Sequence, residues 1–256
     1  MRIGFVGAGN MAAAMARSWA AAAPDGPEAM LFCDLEADRA KAVADEVGGE
    51  TRGDLDGLRS DSDVLLLAVK PTALESVAKD LGGAAPAIVS VLAATPLDRL
   101  AAAFPGVPLL RLMPNQPVEV RHGVICHPPA RGMPAELSEE LLALIGLVGE
   151  TVEMPEELME AAMAVMSCAP AYIALFAEAL ADAGVREGLA EPLAVSLVAD
   201  TLTGTAELLR KRDPEAIRKA VAPLGGATDA GLKALDFEGF ERAVDAAVEA
   251  SLERFR

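Results

Sequence analysis

Two glycines near the N-terminus, Gly7 and Gly9, are spaced as in sites that bind a dinucleotide pyrophosphate. An apolar run that can form a buried strand precedes them, and an alanine-rich segment with helical spacing begins near Ala12. Gly7 allows a sharp turn, Gly9 allows a phosphate to approach the backbone, and Ala12 allows the helix to pack closely on the strand. Unpaired N–H groups at the helix start would face the anion. The pattern predicts a dinucleotide cradle, and its place between strand and helix disfavours a simple glycine turn.

An acidic residue, Asp34, follows the second predicted strand, residues 29–33. In NAD-binding folds an acidic residue at this place hydrogen-bonds the adenosine ribose, and its charge repels the 2′-phosphate of NADPH. Two alternatives stay open: Arg39 could pair with such a phosphate, and Asp34 could instead cap the helix predicted over residues 36–47. On balance the pattern favours NADH over NADPH.

Further polar positions follow other predicted strands. Lys70 comes after the strand predicted over residues 64–69, residues 93–95 after that over 87–92, and Asn115 after that over 107–110. In doubly wound sheets ligands bind outside the carboxyl ends of the strands. We therefore expect these positions to line the cofactor cleft, although an isolated lysine is more often a solvated loop residue.

A second glycine-rich segment, residues 223–231, lies far along the chain. Gly225 and Gly226 precede a helical segment whose free N–H groups could bind a carboxylate, and a plain turn between helices is an equal alternative. Residues 166–172 form another break, because Pro170 cannot donate to a helical hydrogen-bond ladder.

The elements that must position these residues alternate between strand and helix in the first part of the chain. Helices are predicted over residues 10–23, 36–47 and 134–148, and Met11, Met15 and Trp19 form an apolar stripe on the first. Residues 48–62 are interpreted as turns, residues 151–154 as a last edge strand, and Thr95 as a helix cap with Pro96 in the first helical position. This order predicts a doubly wound α/β sheet.

After residue 154 the pattern becomes helical almost to the end, so we predict domains over residues 1–154 and 155–256. Helices are predicted over residues 155–184, 191–212, 214–222 and 237–255. The last carries an apolar stripe, interpreted as core or as a partner face, that comprises Phe240, Val244, Val248, Leu252 and Phe255. Such apolar helices would expose too much surface alone, and we expect dimerisation.

Composition excludes several other classes. The 256 residues carry a formal net charge of −17, which argues against nucleic-acid and anionic-membrane partners. Three separated cysteines indicate neither a disulfide framework nor a metal site, and no signal peptide is recognisable, so we expect a cytoplasmic protein. Two uncharged runs, residues 81–97 and 161–177, are shorter than a usual span of about 20 residues, contain proline, and are interpreted as soluble core.

Several motifs in order make the chain resemble the pyrroline-5-carboxylate reductase family over its whole length. They are Phe-Val-Gly-Ala-Gly-Asn-Met at 5–11, Ala-Val-Lys-Pro at 68–71, Arg-Leu-Met-Pro-Asn at 111–115, Pro-Ala-Tyr at 170–172, Glu-Ala-Leu-Ala-Asp-Ala-Gly at 178–184 and Gly-Gly-Ala-Thr at 225–228. The resemblance implies NAD(P)H-dependent reduction of 1-pyrroline-5-carboxylate to L-proline in a Rossmann domain followed by an all-α domain. It also implies homodimers that often assemble further into decamers.

The resemblance also assigns roles to residues. It implies Thr228 as the catalytic residue, which donates a proton or a hydrogen bond to the imine nitrogen. The implied cofactor-binding residues are Gly7, Gly9, Asn10, Met11, Asp34, Ala68, Lys70, Pro71 and Asn115, and the implied substrate-binding residues are Ser167, Cys168, Pro170, Gly225, Gly226, Ala227 and Thr228.

Two substrate segments depart from the usual family pattern. Ser-Gly-Ser-Gly-Pro-Ala-Tyr is replaced by residues 166–172, and Ser-Pro-Gly-Gly-Thr-Thr by residues 223–228, with Asp229 where an apolar residue is usual. These changes leave two alternatives: an enzyme for another small imino, keto or hydroxy acid, and a catalytically silent dinucleotide-binding paralogue. The absence of lysine between Lys79 and Lys211 argues against hydroxyacid dehydrogenases of similar layout, which use a lysine on the interdomain helix.

Overall fold

A computed structural model of the protein describes residues 1–82 and 85–254, which divide into two compact units between Ser167 and Cys168. The division falls after the boundary predicted at residues 154/155, because the helix over Met159–Met166 packs within the first unit through Met159, Met163 and Ala164. The 154/155 boundary stays a prediction.

The first unit contains a parallel six-stranded sheet with helices between its strands, as the alternating pattern predicts. In sequence order its elements are β1 (Arg2–Val6), α1 (Asn10–Ala21), β2 (Ala29–Cys33), α2 (Ala37–Val47), β3 (Glu50–Thr51), α3 (Leu55–Asp61), β4 (Val64–Leu67), α4 (Leu74–Asp80), β5 (Ile88–Ser90), α5 (Leu97–Ala103) and β6 (Leu109–Arg111). The spatial order is β3-β2-β1-β4-β5-β6, which is that of the Rossmann fold.

Apart from the exposed edge strand β3, the strands of the sheet are buried on both faces, and this explains their continuous apolar character. Along β4, Val64 and Leu66 belong to one buried cluster while Leu65 and Leu67 belong to a second cluster. Successive side chains of a strand point to opposite faces, so helices must cover both sides of the sheet. The predicted apolar stripe of α1 is confirmed. Met15 and Trp19 are buried in the core, and the partly buried Met11 packs against the same cluster.

Register places three strand ends at one level. Val6 of β1 pairs with Cys33 of β2 on one side and with Leu67 of β4 on the other. The chain therefore leaves these strands at Gly7, Asp34 and Ala68 along the same edge of the sheet. This edge is the one at which ligands bind in open α/β sheets.

A small sheet completes the first unit. It consists of β7 (Met113–Pro114), β8 (Gly123–His127) and β9 (Gly149–Glu153), with α6 (Ala135–Gly146) before β9 and α7 (Met159–Met166) after it. β9 confirms the predicted last edge strand, lying parallel to β8. The Trp19 indole N–H donates to the Leu144 carbonyl at 2.8 Å, which joins α1 to α6.

Two local predictions are wrong. Residues 48–62 contain β3 and α3, and the Asp54 carboxylate caps α3 by accepting the Gly57 N–H at 2.8 Å. Thr95 does not cap α5, since its hydroxyl donates to the Ala93 carbonyl, and Pro96 is the capping residue and not the first helical one. The first N–H of α5 instead donates to the Glu156 carboxylate at 2.8 Å, a partner supplied by a distant part of the chain.

The second unit is helical throughout the described residues. Its helices are α8 (Ala169–Arg186), α9 (Glu191–Leu209), α10 (Pro214–Val221), α11 (Ala227–Phe237) and α12 (Phe240–Glu253). The break predicted at Pro170 is present, because α7 ends at Met166 and Pro170 lies in the first turn of α8. The helix predicted over residues 237–255 corresponds to α12, and a separate helix, α11, precedes it. In the α12 stripe Phe240 and Val244 are exposed, and Phe255 lies outside the described residues.

The helical stretch Glu156–Arg186 is apolar and largely exposed in this chain. Of residues 161–177 only Met163 and Ala164 are buried, which corrects the prediction that this run is core. The length and composition of the stretch Glu156–Arg186 would suffice for a membrane span, yet core and interface helices of water-soluble proteins pass the same criteria. The exposed apolar side chains of this stretch therefore form a surface that a partner is expected to bury.

Candidate active-site elements

Gly7 and Gly9 of the first turn differ in backbone conformation and in the space available to a side chain. Gly7 has φ +96°, and an added Cβ would lie 2.9 Å from the Ala68 carbonyl oxygen, so the fold itself excludes a side chain. Gly9 has φ −75°, and the nearest atom to an added Cβ would be 3.9 Å away. Neither conformation nor packing requires glycine at position 9, and the space left open suits a pyrophosphate.

The start of α1 supplies hydrogen-bond donors to that space. No side chain caps the helix, and its first turn carries no acidic residue. The N–H groups of Asn10, Met11 and Ala12 have no acceptor among the described residues, whereas the Ala13 N–H already donates to Gly9. These free donors and the helix dipole suit an anion, and binding of a pyrophosphate at this helix start stays a prediction.

Asp34 is held beside this turn by two backbone hydrogen bonds. Its carboxylate accepts the Ala8 N–H at 2.7 Å and the Glu36 N–H at 2.8 Å. The alternative in which Asp34 caps α2 is wrong, because Glu36 occupies the capping position and makes no side-chain cap bond. The negative charge is therefore fixed at the edge of the glycine turn, where the ribose of a dinucleotide is expected.

Arg39, the residue that could attract a 2′-phosphate, has a partner. Its guanidinium lies 2.6 Å from the Glu36 carboxylate, three positions earlier on the chain. Sequence reasoning missed this pair, although a spacing of three residues at a helix start is a usual signal for one. Both charged groups are exposed, so the pair is a weak one.

Other predicted cofactor positions lie along the same edge. Ala68 donates its N–H to the Val6 carbonyl at 2.9 Å and packs against Gly7. Lys70 is exposed, and Pro71 begins a short 3-10 turn over Pro71–Ala73. The register of β1 and β4 brings Ala68 to the glycine turn, and the role of Lys70 and Pro71 in binding stays a prediction.

The buried side chain of Asn115 joins two elements of the first unit. Its Oδ1 accepts the Val124 N–H at 2.8 Å, and its Nδ2 donates to the Met166 carbonyl at 3.0 Å. Asn115 therefore fixes the end of α7 against β8, a structural role that sequence reasoning missed. A contact between Asn115 and the cofactor stays a prediction.

The predicted substrate positions around Pro170 fall on both sides of the division. The Ser167 hydroxyl donates to the Met166 sulfur at 2.8 Å at the end of the first unit. Cys168 precedes α8 and is half-buried, as are Ala169 and Pro170. In the second unit the Tyr172 hydroxyl meets the Ser251 hydroxyl of α12, which holds the first turn of α8.

The glycine loop before α11 uses some of its own donors. The Gly225 N–H donates to the Asp229 carboxylate at 3.0 Å, and the Gly226 N–H donates to the Pro223 carbonyl at 2.9 Å. The N–H groups of Ala227, Thr228 and Asp229 have no acceptor among the described residues, and the Thr228 side chain is exposed. These three N–H groups and the Thr228 hydroxyl are the donors available to a carboxylate or an imine nitrogen.

Asp229 is an ionised acceptor at this helix start. The Lys233 ammonium lies 2.8 Å from the carboxylate, and this contact together with the Gly225 N–H lowers the pKa of Asp229 below its ordinary value of 3.8. Its side chain is 19% exposed and that of Lys233 is 68% exposed. Asp229 is therefore negatively charged at neutral pH, with its charge offset by Lys233.

An open cradle at the start of α1, with an acidic residue beside it on a Rossmann-type sheet, is typical of dinucleotide-binding proteins. Family models match both parts of the chain: "NADP oxidoreductase coenzyme F420-dependent" over residues 2–94 and "Pyrroline-5-carboxylate reductase dimerisation" over residues 156–256. Together with relatives that are 33–34% identical over 99% of the chain, these matches show that the chain belongs to the pyrroline-5-carboxylate reductase family.

Similarity to individual members extends over the full length. The Synechocystis sp. pyrroline-5-carboxylate reductase is 34% identical, with 99% of this chain and 97% of the relative covered, and the Thermus thermophilus protein is 33% identical with the same coverage. The Streptococcus pyogenes 1-pyrroline-5-carboxylate reductase structure matches with a TM-score of 0.90 and 28% identity, covering 100% of this chain and 98% of that one. The Plasmodium falciparum enzyme, whose structure has NADP bound, matches with a TM-score of 0.88 and 25% identity over 100% of this chain and 97% of that one.

Proposed function

We propose that this protein reduces 1-pyrroline-5-carboxylate to L-proline with NADH as the hydride donor. The observation that carries the proposal is that two helices begin with free N–H groups. One of these helix starts lies at the cofactor turn, and the other lies beside Thr228. The chain also resembles members of this family along its whole length. A bound dihydronicotinamide supplies the hydride to the carbon of the C=N bond, and the nitrogen takes one proton.

The first unit binds the cofactor in this proposal. The N–H groups at the start of α1 hold the pyrophosphate in the space beside Gly9, and Asp34 hydrogen-bonds the adenosine ribose. Ala68, Lys70, Pro71 and Asn115 lie along the cleft. Because two N–H groups fix the Asp34 carboxylate beside the glycine turn, a 2′-phosphate on the adenosine ribose would be repelled by it.

The second unit binds the substrate. The N–H groups of Ala227 and Thr228 hold the substrate carboxylate, and the Thr228 hydroxyl hydrogen-bonds the imine nitrogen. Gly225 and Gly226 shape the loop. We also propose substrate contacts for Cys168 and Pro170 in this unit, and for Ser167 at the end of the first unit. A cyclic iminium arrives already protonated at nitrogen, so orientation and exclusion of water are the main tasks left to the protein.

The helices of the second unit form a homodimer interface in this proposal. Ile173 and Leu175 on α8 are 53% and 65% exposed, and Val195 on α9 is 53% exposed. The dimerisation model that matches residues 156–256 covers these helices. We propose a cytoplasmic homodimer that assembles further, as in a decamer.

The test measures oxidation of NADH and of NADPH by the purified protein with 1-pyrroline-5-carboxylate, other cyclic imines and small 2-keto acids. The proposal predicts proline as the product and a higher kcat/KM for NADH than for NADPH. A higher kcat/KM for NADPH would overturn the assignment of NADH. Turnover of a keto acid alone would favour another substrate, and cofactor binding without turnover would favour a silent paralogue.

A further inference from the structure

We propose that Asp229 and Lys233 form a positioning pair that prepares the glycine loop for an anionic substrate. The substrate part of this inference rests on the proposed function. Asp229 arranges the loop, and Lys233 cancels the charge that Asp229 brings to the loop. Neither residue touches the reacting atoms.

Asp229 decides which N–H groups of the loop are free. Its carboxylate reaches back from the first turn of α11 and accepts the Gly225 N–H at 3.0 Å. Gly225 has φ +77°, in the left-handed region that glycine tolerates best, and this bond holds it there. With Gly225 bonded to Asp229 and Gly226 to Pro223, the N–H groups left without an acceptor among the described residues are those of Ala227, Thr228 and Asp229.

The Asp229 carboxylate would also repel an anionic substrate. A negative side chain in the first turn of a helix occupies the positive end of the dipole, and a substrate carboxylate bound there would be repelled by it. Lys233 lies one helical turn further on, and its ammonium is 2.8 Å from the Asp229 carboxylate. The local charge of the pair is therefore zero, which allows the loop to be fixed by a carboxylate and still bind one.

The structure offers a matched control for this pair. Lys219 and Glu215 on α10 have the same spacing of four residues, lie 2.6 Å apart, and are both exposed. Lys219→Met therefore removes an equivalent ion pair from the same unit without changing the glycine loop. Asp229→Asn retains an oxygen that can accept the Gly225 N–H, whereas Asp229→Ala removes the acceptor.

The experiment compares steady-state constants for 1-pyrroline-5-carboxylate in these variants. Lys233→Met should raise KM about threefold to fivefold at low salt with kcat within about twofold of the native value, because it leaves Asp229 unneutralised. Asp229→Asn combined with Lys233→Met should return KM to within about twofold, because the negative charge is then absent. Lys219→Met should leave KM unchanged. Equal KM values for Lys233→Met and Lys219→Met, or no recovery in the double variant, would overturn the charge-compensating role.

Hydrogen exchange of the peptide that contains Gly225 tests the loop role without any substrate. The Gly225 amide should be protected in the native protein, in Lys233→Met and in Asp229→Asn, and should exchange faster in Asp229→Ala. Equal exchange in Asp229→Ala and the native protein would overturn this role. If the native protein does not reduce 1-pyrroline-5-carboxylate, the proposed function and the substrate part of this inference are wrong together, and the exchange result alone decides whether Asp229 holds the loop.

Discussion

The Asp34 carboxylate accepts the N–H of Ala8 at 2.7 Å and so joins the end of β2 to the turn that follows β1. This bond links the two features that determine how a dinucleotide binds: the glycine turn for the pyrophosphate and the acidic residue for the ribose. Because the Glu36 N–H holds the second oxygen, the carboxylate is oriented before any cofactor arrives.

Replacing Asp34 should change the choice of cofactor. Asp34→Ser removes the negative charge, and we expect the ratio of kcat/KM for NADPH to that for NADH to rise at least about tenfold, since juxtaposed like charges cost several kcal/mol. Steady-state rates with each cofactor measure this ratio. Asp25→Ser, at an exposed turn residue outside the cleft, is the control. An unchanged ratio would show that Asp34 does not determine the preference.

The two glycines of the first turn should respond differently to alanine. Gly9→Ala should weaken NADH binding at least about tenfold and leave the free energy of unfolding almost unchanged, because its Cβ fits the fold and occupies the phosphate space. Gly7→Ala should lower the free energy of unfolding by about 1–3 kcal/mol because of its positive φ and its contact with Ala68. Fluorescence titration and urea unfolding measure the two effects. Equal destabilisation by both changes would contradict this assignment.

Asn115 should contribute mainly to stability. Asn115→Ala leaves the Val124 N–H and the Met166 carbonyl without their side-chain partner, and we expect a loss of about 2 kcal/mol in the free energy of unfolding. Gln116→Ala, at the exposed neighbour, should change it by less than about 0.5 kcal/mol. Urea unfolding at neutral pH makes the comparison. If Asn115→Ala keeps full stability and loses only cofactor affinity, the structural role is wrong.

The lowered pKa of Asp229 predicts a pH-dependent contribution to stability. Its carboxylate is favoured in the folded protein, first by Lys233 and then by the Gly225 N–H, so the contribution is present above the ordinary pKa of 3.8. It is lost as the pH falls through the lowered folded value. The native protein should therefore have a higher Tm than Asp229→Asn at about pH 6, and this difference should shrink on acidification below the ordinary pKa. A difference that grows on acidification would contradict the shift.

Local patterns predict much of this fold, and distant partners account for what they miss. Continuous apolar runs locate β1, β2 and β4, because strands buried on both faces need them. The two-residue strand β3 and the short helix α3 give too weak a periodicity to be recognised, although Asp54 was an available cap signal. Glu156 caps α5 from a remote position, and no local rule anticipates such a partner.

The candidate site shows the same distinction. The glycine turn and the position of Asp34 follow from sequence, because motif and strand end lie together in the chain. The engagement of Asn115 depends on β8 and α7, which only the folded first unit brings to it. The bond between Asp229 and Gly225 is local, and the rule that acidic residues in a first helical turn reach back to preceding N–H groups could have identified it.

The most direct test of the account compares NADH-dependent proline formation from 1-pyrroline-5-carboxylate by the native protein and by Thr228→Ala. We expect the native protein to form proline and the variant to lose about 10²-fold in kcat, the scale of lost orientation of a reacting group, with unchanged NADH affinity. Native kcat in the variant would remove Thr228 from the mechanism. Absence of proline formation by the native protein would contradict the proposed function itself.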